Sequence, residues 1–223
     1  MKIRKSDIRK IIKEIVLKEI ITASPLGIAV TAAGSGMFSS KTSGGGSGAA
    51  AGSGANNKVL IIGDSQIGGS LGDALAAKYG ARVVDRIHTD GSNDAQWSRE
   101  NGIWDQEAKP VVSGSCPGYI IISLGGNSVS SSPIGLINKI RETCNSGIVW
   151  TGAPPADDDQ EGRRQRNARI SDSISSADNT QFINPFDYIK KEDGTPGWDG
   201  GDANVHLTPE AARAYVAAAP FFS

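Results

Sequence analysis

Hydrophobic residues fall in two rhythms along this chain. Short, nearly continuous apolar runs recur from residue 58 onward: Lys58–Ile62 ("KVLII"), Ala81–Asp85 ("ARVVD"), Tyr119–Leu124 ("YIIISL"), Ile148–Thr151 ("IVWT") and Gln181–Asn184 ("QFIN"). Between them lie amphipathic stretches at helical spacing: Ile67–Tyr79, Pro133–Thr143, Gln160–Ala177 and Pro209–Ala219, with a polar Asp94–Glu107 that reads as helix or irregular structure. Apolar strands alternating with helices predict a parallel sheet covered on both faces. The expected class is α/β, a three-layer α/β/α sandwich on a five-stranded parallel sheet.

The first quarter of the chain lacks this alternation of strands and helices. From Ile8 to Ile21, isoleucines and Val16 recur at helical spacing between Lys and Arg, with Ser6 as a helix cap and Asp7 in the first turn. Such a helix is marginal alone, so it is expected to self-associate or to bind another protein. Residues 33–57 are almost wholly Gly, Ser, Ala, Thr and Asn, with eight glycines between Gly34 and Gly54. That composition predicts a flexible linker reaching roughly 25–30 Å. The chain therefore divides into a basic amphipathic tether (1–32), a linker (33–57) and one folded domain (58–223).

Charge sharpens this division. Residues 1–20 carry seven Lys/Arg against three acids, so they hold +4 of a total of −1 and leave −5 for the rest. An acidic folded domain argues against nucleic acid as its partner. The sequence shows neither a convincing signal peptide nor a run of membrane-spanning length. Cys116 and Cys144 fit no metal motif, and no cofactor is implied.

In parallel sheets ligands bind beyond the carboxyl ends of the strands, so the residues there carry the chemistry. Strand one is followed by Gly63-Asp64-Ser65, strand two by a loop with His88 and Gly91, strand three by Gly125-Gly126-Asn127. Asp199, Asp202 and His206 precede the last helix. The order Ser, Gly, Asn, Asp, His at these positions resembles the SGNH hydrolases, also called GDSL-type esterases and lipases, over nearly all of residues 58–223. The resemblance implies a flavodoxin-like sheet and a serine esterase. Ser65 would be the nucleophile and His206 the base, with the Ser65 and Gly91 N–H groups and the Asn127 amide as oxyanion hole.

Taken alone, Ser65 or Asp64 reads as a helix cap; the other motifs together favour Ser65 as nucleophile. The acid is less well placed: the family carries Asp three before His, where Ala203 stands here. Asp202 is the first choice, with Asp199, Asn204 or a main-chain carbonyl as alternatives. Ser128 replaces an Asp common in the family. His88, the only other histidine, reads as an exposed loop residue.

Trp97, Trp104 and Trp198 fall in loops near the expected rim, where flat faces suit sugar rings. With the absence of a long apolar lid, they suggest a small acyl ester, acetyl on a glycan, as substrate; Trp97 and Trp198 are the binding candidates. The stretch "MKIRKSDIRKIIKEI" resembles leader segments of marine tailed-phage structural proteins, which implies a virion-associated or extracellular location. The rival reading is a structural or glycan-binding virion protein that keeps the fold with little activity. In the family's sheet Cys116 and Cys144 lie at neighbouring strand starts, so a disulfide and a pair of buried thiols are both open.

Overall fold

The computed structural model describes residues 56–127, 133–198 and 205–222. The tether and the linker up to Ala55 lie outside the described residues, as do Ser128, Asp199, Asp202 and Asn204.

Five strands form one fully parallel sheet: β1 (Val59–Gly63), β2 (Val83–His88), β3 (Tyr119–Ser123), β4 (Gly147–Thr151) and β5 (Thr180–Ile183), in the order β2-β1-β3-β4-β5. The three inner strands are buried almost throughout, as their continuous apolar runs require. Alternate residues feed two cores. Val59, Ile61, Ile121 and Val149 pack with Ile67, Leu71, Leu75, Tyr215 and Val216 on one face. Leu60, Ile62, Ile120, Ile122 and Trp150 pack with Trp97, Trp104, Leu136, Ile140 and Ile170 on the other. Each core covers one sheet face, which gives the three-layer sandwich.

Register places the chemistry. Gly63 pairs with both His88 and Ser123, and Ser123 pairs with Thr151. The strand ends are therefore level, and the loops that leave them open on one rim.

Two elements differ from the periodicity. The helix expected over Ile67–Tyr79 starts earlier and is broken, as α1 (Ser65–Gly68) and α2 (Ser70–Tyr79) around an extended Gly69. The second strand lies later than expected, at Val83–His88, because Gly80–Arg82 form a helical turn. It is an edge strand, so Asp85, Arg86 and His88 can point outward, with Arg86 paired to Asp73 at 2.5 Å. Further helices are α3 (Asp94–Ser98), α4 (Lys109–Ser113), α5 (Ile134–Thr143), α6 (Gln160–Ile174) and α7 (Pro209–Ala218). As expected for the last of these, Thr208 caps it through Ala211 N–H and Pro209 takes its first position.

Cys116 and Cys144 form a disulfide with Cα atoms 5.6 Å apart. It ties the starts of β3 and β4 at the rim opposite the candidate site. Among the described residues no helix is long and apolar enough to cross a membrane, and no cluster of three or more His, Cys, Asp or Glu could hold a metal.

Candidate active site

The turn after β1 is set by a steric limit. A Cβ on Gly63 would lie 2.4 Å from the Ser123 carbonyl oxygen and 2.6 Å from Ile67 Cγ1. Only glycine lets the strand end this close to β3. The next peptide is then fixed, with Asp64 N–H donating to Ser123 O at 3.1 Å. Asp64 caps α1, its Oδ1 accepting from Gln66 N–H at 3.0 Å. This separates the two roles left open by the sequence: Asp64 caps, and the Ser65 hydroxyl is not spent on capping.

Ser65 Oγ lies 2.9 Å from His206 Nε2, across 141 positions of sequence. The loop bearing His206 is held from the same helical turn. Buried Gln66 donates through Nε2 to Val205 O at 2.6 Å. Leu207, buried in the first core, anchors the other side. Ser65 and His206 line one open cleft of about 460 Å³ with Gly68, Gly69, His88 and Asp90. A cleft of similar size between α6 and β5, lined by Arg164, Asn184 and Tyr188 among others, shares no lining residue with it.

Asp64 is 1 % exposed. Burial pushes its carboxyl up to about 6, against the opposing pulls of the Gln66 N–H and the charge at His206. Its second oxygen accepts from Asn127 Nδ2 at 3.3 Å, and that amide also donates to Ser92 O at 3.2 Å. Asn127 is thus held by both the β1 turn and the β2 loop. Gly91, in that loop, adopts a φ of +71°, a conformation that favours glycine.

Trp97 is fully buried, and its indole N–H donates to Ser92 Oγ at 2.9 Å. It supports the loop that holds Asn127 and has no face for a sugar. Trp104 is fully buried and Trp198 is 6 % exposed, both in the cores. The expectation that Trp97 and Trp198 stack on substrate is corrected here: these rings serve the core, as large apolar surfaces ordinarily do. Asp202, its alternatives Asp199 and Asn204, and Ser128 lie outside the described residues.

Sequence reasoning missed Gln66 and undervalued Asp64. Nothing in the motif marks Gln66, whose partner is a backbone carbonyl far along the chain. For Asp64 the available signal was a carboxylate embedded in a buried turn.

The fold is that of the SGNH, or G-D-S-L-type, hydrolases. The chain is similar to a protein provisionally described as a lipolytic protein of G-D-S-L family from Desulfitobacterium hafniense DCB-2, with 15 % identity over 72 % of this chain and 96 % of that one, at a TM-score of 0.55. It is similar also to one provisionally described as a platelet activating factor from Streptococcus pneumonia, with 16 % identity over 73 % and 82 % of the chains and a TM-score of 0.55. No protein-family model and no curated protein matches the sequence.

Proposed function

We propose that this chain is a serine esterase that hydrolyses a small acyl ester, acetyl being the acyl group that fits this reading best. The observation that carries this is the 2.9 Å approach of His206 Nε2 to Ser65 Oγ in an open cleft. In this reading His206 takes the hydroxyl proton as Ser65 attacks the ester carbonyl. The imidazolium then gives that proton to the departing alcohol. Water enters, loses a proton to the same imidazole, and clears the acyl-serine by the reverse geometry.

The tetrahedral oxyanion takes its donors from the Ser65 and Gly91 N–H groups and from Asn127. Ser65 is the first residue of a helical turn and has no carbonyl four residues back to accept its N–H. Asn127 turns one N–H from the Ser92 carbonyl toward the oxyanion, while Asp64 keeps its amide in place. Asp202 is assigned as the group that orients His206, with Asp199 as the alternative. Comparing Asp202→Asn with Asp199→Asn separates them. The Cys116–Cys144 bridge supports action outside a reducing cytosol, and the tether is read as the attachment to a larger assembly.

The test is hydrolysis of p-nitrophenyl acetate by the full chain. Turnover that drops by roughly 10³-fold or more in Ser65→Ala supports the reading. Equal rates in the two proteins reject it and leave a carrier or binding role for the fold.

A further inference from the structure

The cleft that holds the Ser65–His206 pair is also walled by a second histidine and a carboxylate. His88 Nδ1 lies 3.3 Å from Asp90 Oδ1, and both residues line the same cleft as Ser65. The contact between this wall and the catalytic turn is made to measure. A Cβ on Gly68 would stand 2.8 Å from His88 Nδ1 and 2.9 Å from its Cε1. Gly68 closes α1, three residues after the nucleophile. The turn that presents Ser65 therefore also leaves the space into which the His88 ring packs. Gly63, at the end of β1, is the register partner of His88, so the ring starts level with the strand that ends at the nucleophile.

The chemistry of this wall is directional. With Nδ1–H donating to Asp90, the neutral ring keeps Nε2 as an acceptor. The Asp90 carboxylate has a second oxygen, and its side chain is largely exposed. Two neighbouring acceptors in one cleft suit donors on the substrate, and hydroxyls beside an ester are such donors. Among the described residues the remaining lining is small or polar (Gly68, Gly69, Ser70, Thr208), with Leu207 and Pro209 apolar. A long hydrocarbon chain gains little there.

We propose that His88 and Asp90 form the alcohol subsite, which selects esters of polyhydroxylated alcohols by accepting hydrogen bonds from hydroxyls next to the scissile ester. This rests on the esterase reading of Ser65 and names its substrate class. It also replaces the stacking tryptophans, which are buried, as the ground for a carbohydrate substrate.

The experiment compares, with this chain, two acetates: a monoacetylated methyl glucoside and ethyl acetate. They share the acyl group and differ in whether the alcohol carries further hydroxyls. The readout is the ratio of the two kcat/KM values. The wild type is expected to favour the sugar acetate tenfold or more, and His88→Ala and Asp90→Ala to collapse that ratio at least tenfold, mainly through KM. Asp90→Asn, which keeps an acceptor oxygen, should recover part of it. Both positions are solvent-accessible, and a thermal melt confirms that each variant folds. A ratio near one in the wild type, or an unchanged ratio in both alanine variants, overturns the subsite. A pair-dependent preference for acetylcholine in place of the sugar acetate overturns it in favour of cation binding. Turnover of both acetates that persists in Ser65→Ala overturns the esterase reading itself, which distinguishes the two failures.

Discussion

Asp64 Oδ2 accepts a hydrogen bond from Asn127 Nδ2 at 3.3 Å, so the residue before Ser65 holds an amide 63 positions further on. This buried carboxylate links three parts of the candidate site: the helix cap, the Asn127 amide and the electrostatic surroundings of His206.

That position has a thermodynamic signature. The folded state raises Asp64 from an ordinary 3.8 to about 6. The fold therefore prefers the protonated form, and ionising Asp64 costs stability. The cost is absent below about pH 4, builds as pH rises to 6, and levels off near roughly 3 kcal/mol. Asp64→Asn lacks this titration. Urea midpoints measured from pH 4 to 7 should show the variant gaining on the wild type by about that amount, with acetate turnover lowered at neutral pH. Parallel pH curves for the two proteins would show that the burial cost is absent.

Gln66 predicts a loss of rate without loss of fold. Its Nε2 holds the carbonyl of Val205, the residue before His206. Gln66→Ala frees that loop, and a small displacement of an imidazole from its hydroxyl is costly. We expect kcat to fall roughly 10-fold or more with KM little changed. A kcat equal to the wild type would show that the loop is held by other contacts.

Gly63→Ala should damage both stability and activity. The added methyl meets a backbone carbonyl at 2.4 Å, which cannot swing aside. The strand end must shift, at a cost of roughly 1–3 kcal/mol or more. The Asp64-to-Ser123 hydrogen bond that fixes the turn moves with it. Urea denaturation and p-nitrophenyl acetate hydrolysis report the two losses, and a variant that loses neither would contradict the packing at this turn.

Cysteine titration of the unreduced protein should find no reactive thiol, and two after reduction in denaturant. The bridge closes a span of 28 positions, for which loop closure alone gives roughly 3–4 kcal/mol. Cys144→Ser paired with Cys116→Ser should lose about that stability and keep esterase activity, since the bridge lies at the rim opposite Ser65.

The strands and the Ser65–His206 pair could be read from sequence because their signals are local. Tyr119–Ser123 is apolar enough to demand burial, and Ser65 and His206 stand where such strands end. The rest depends on partners far along the chain. That Gly69 would interrupt a helix, or that β2 would accept Asp85 and Arg86, follows from the site's turn and from an edge position. The aromatic residues misled for a physical reason. A tryptophan in a polar stretch looks exposed, yet Trp97 finds both a core and an indole partner in Ser92. His88 looked idle because its meaning lies in a missing methyl at Gly68, and no motif records an absence of that kind.

His206 follows all five strands in chain order, and α7, which comes after it, packs Tyr215 and Val216 into the first core, where the Tyr215 hydroxyl meets Thr151 at 2.5 Å. During synthesis the ribosome delivers the whole sheet, with Ser65 already at its rim, before the imidazole of His206 can reach that serine. On the esterase reading the hydroxyl thus stays unarmed until the last segment docks, and a nascent chain released early would carry Ser65 without His206 to awaken it.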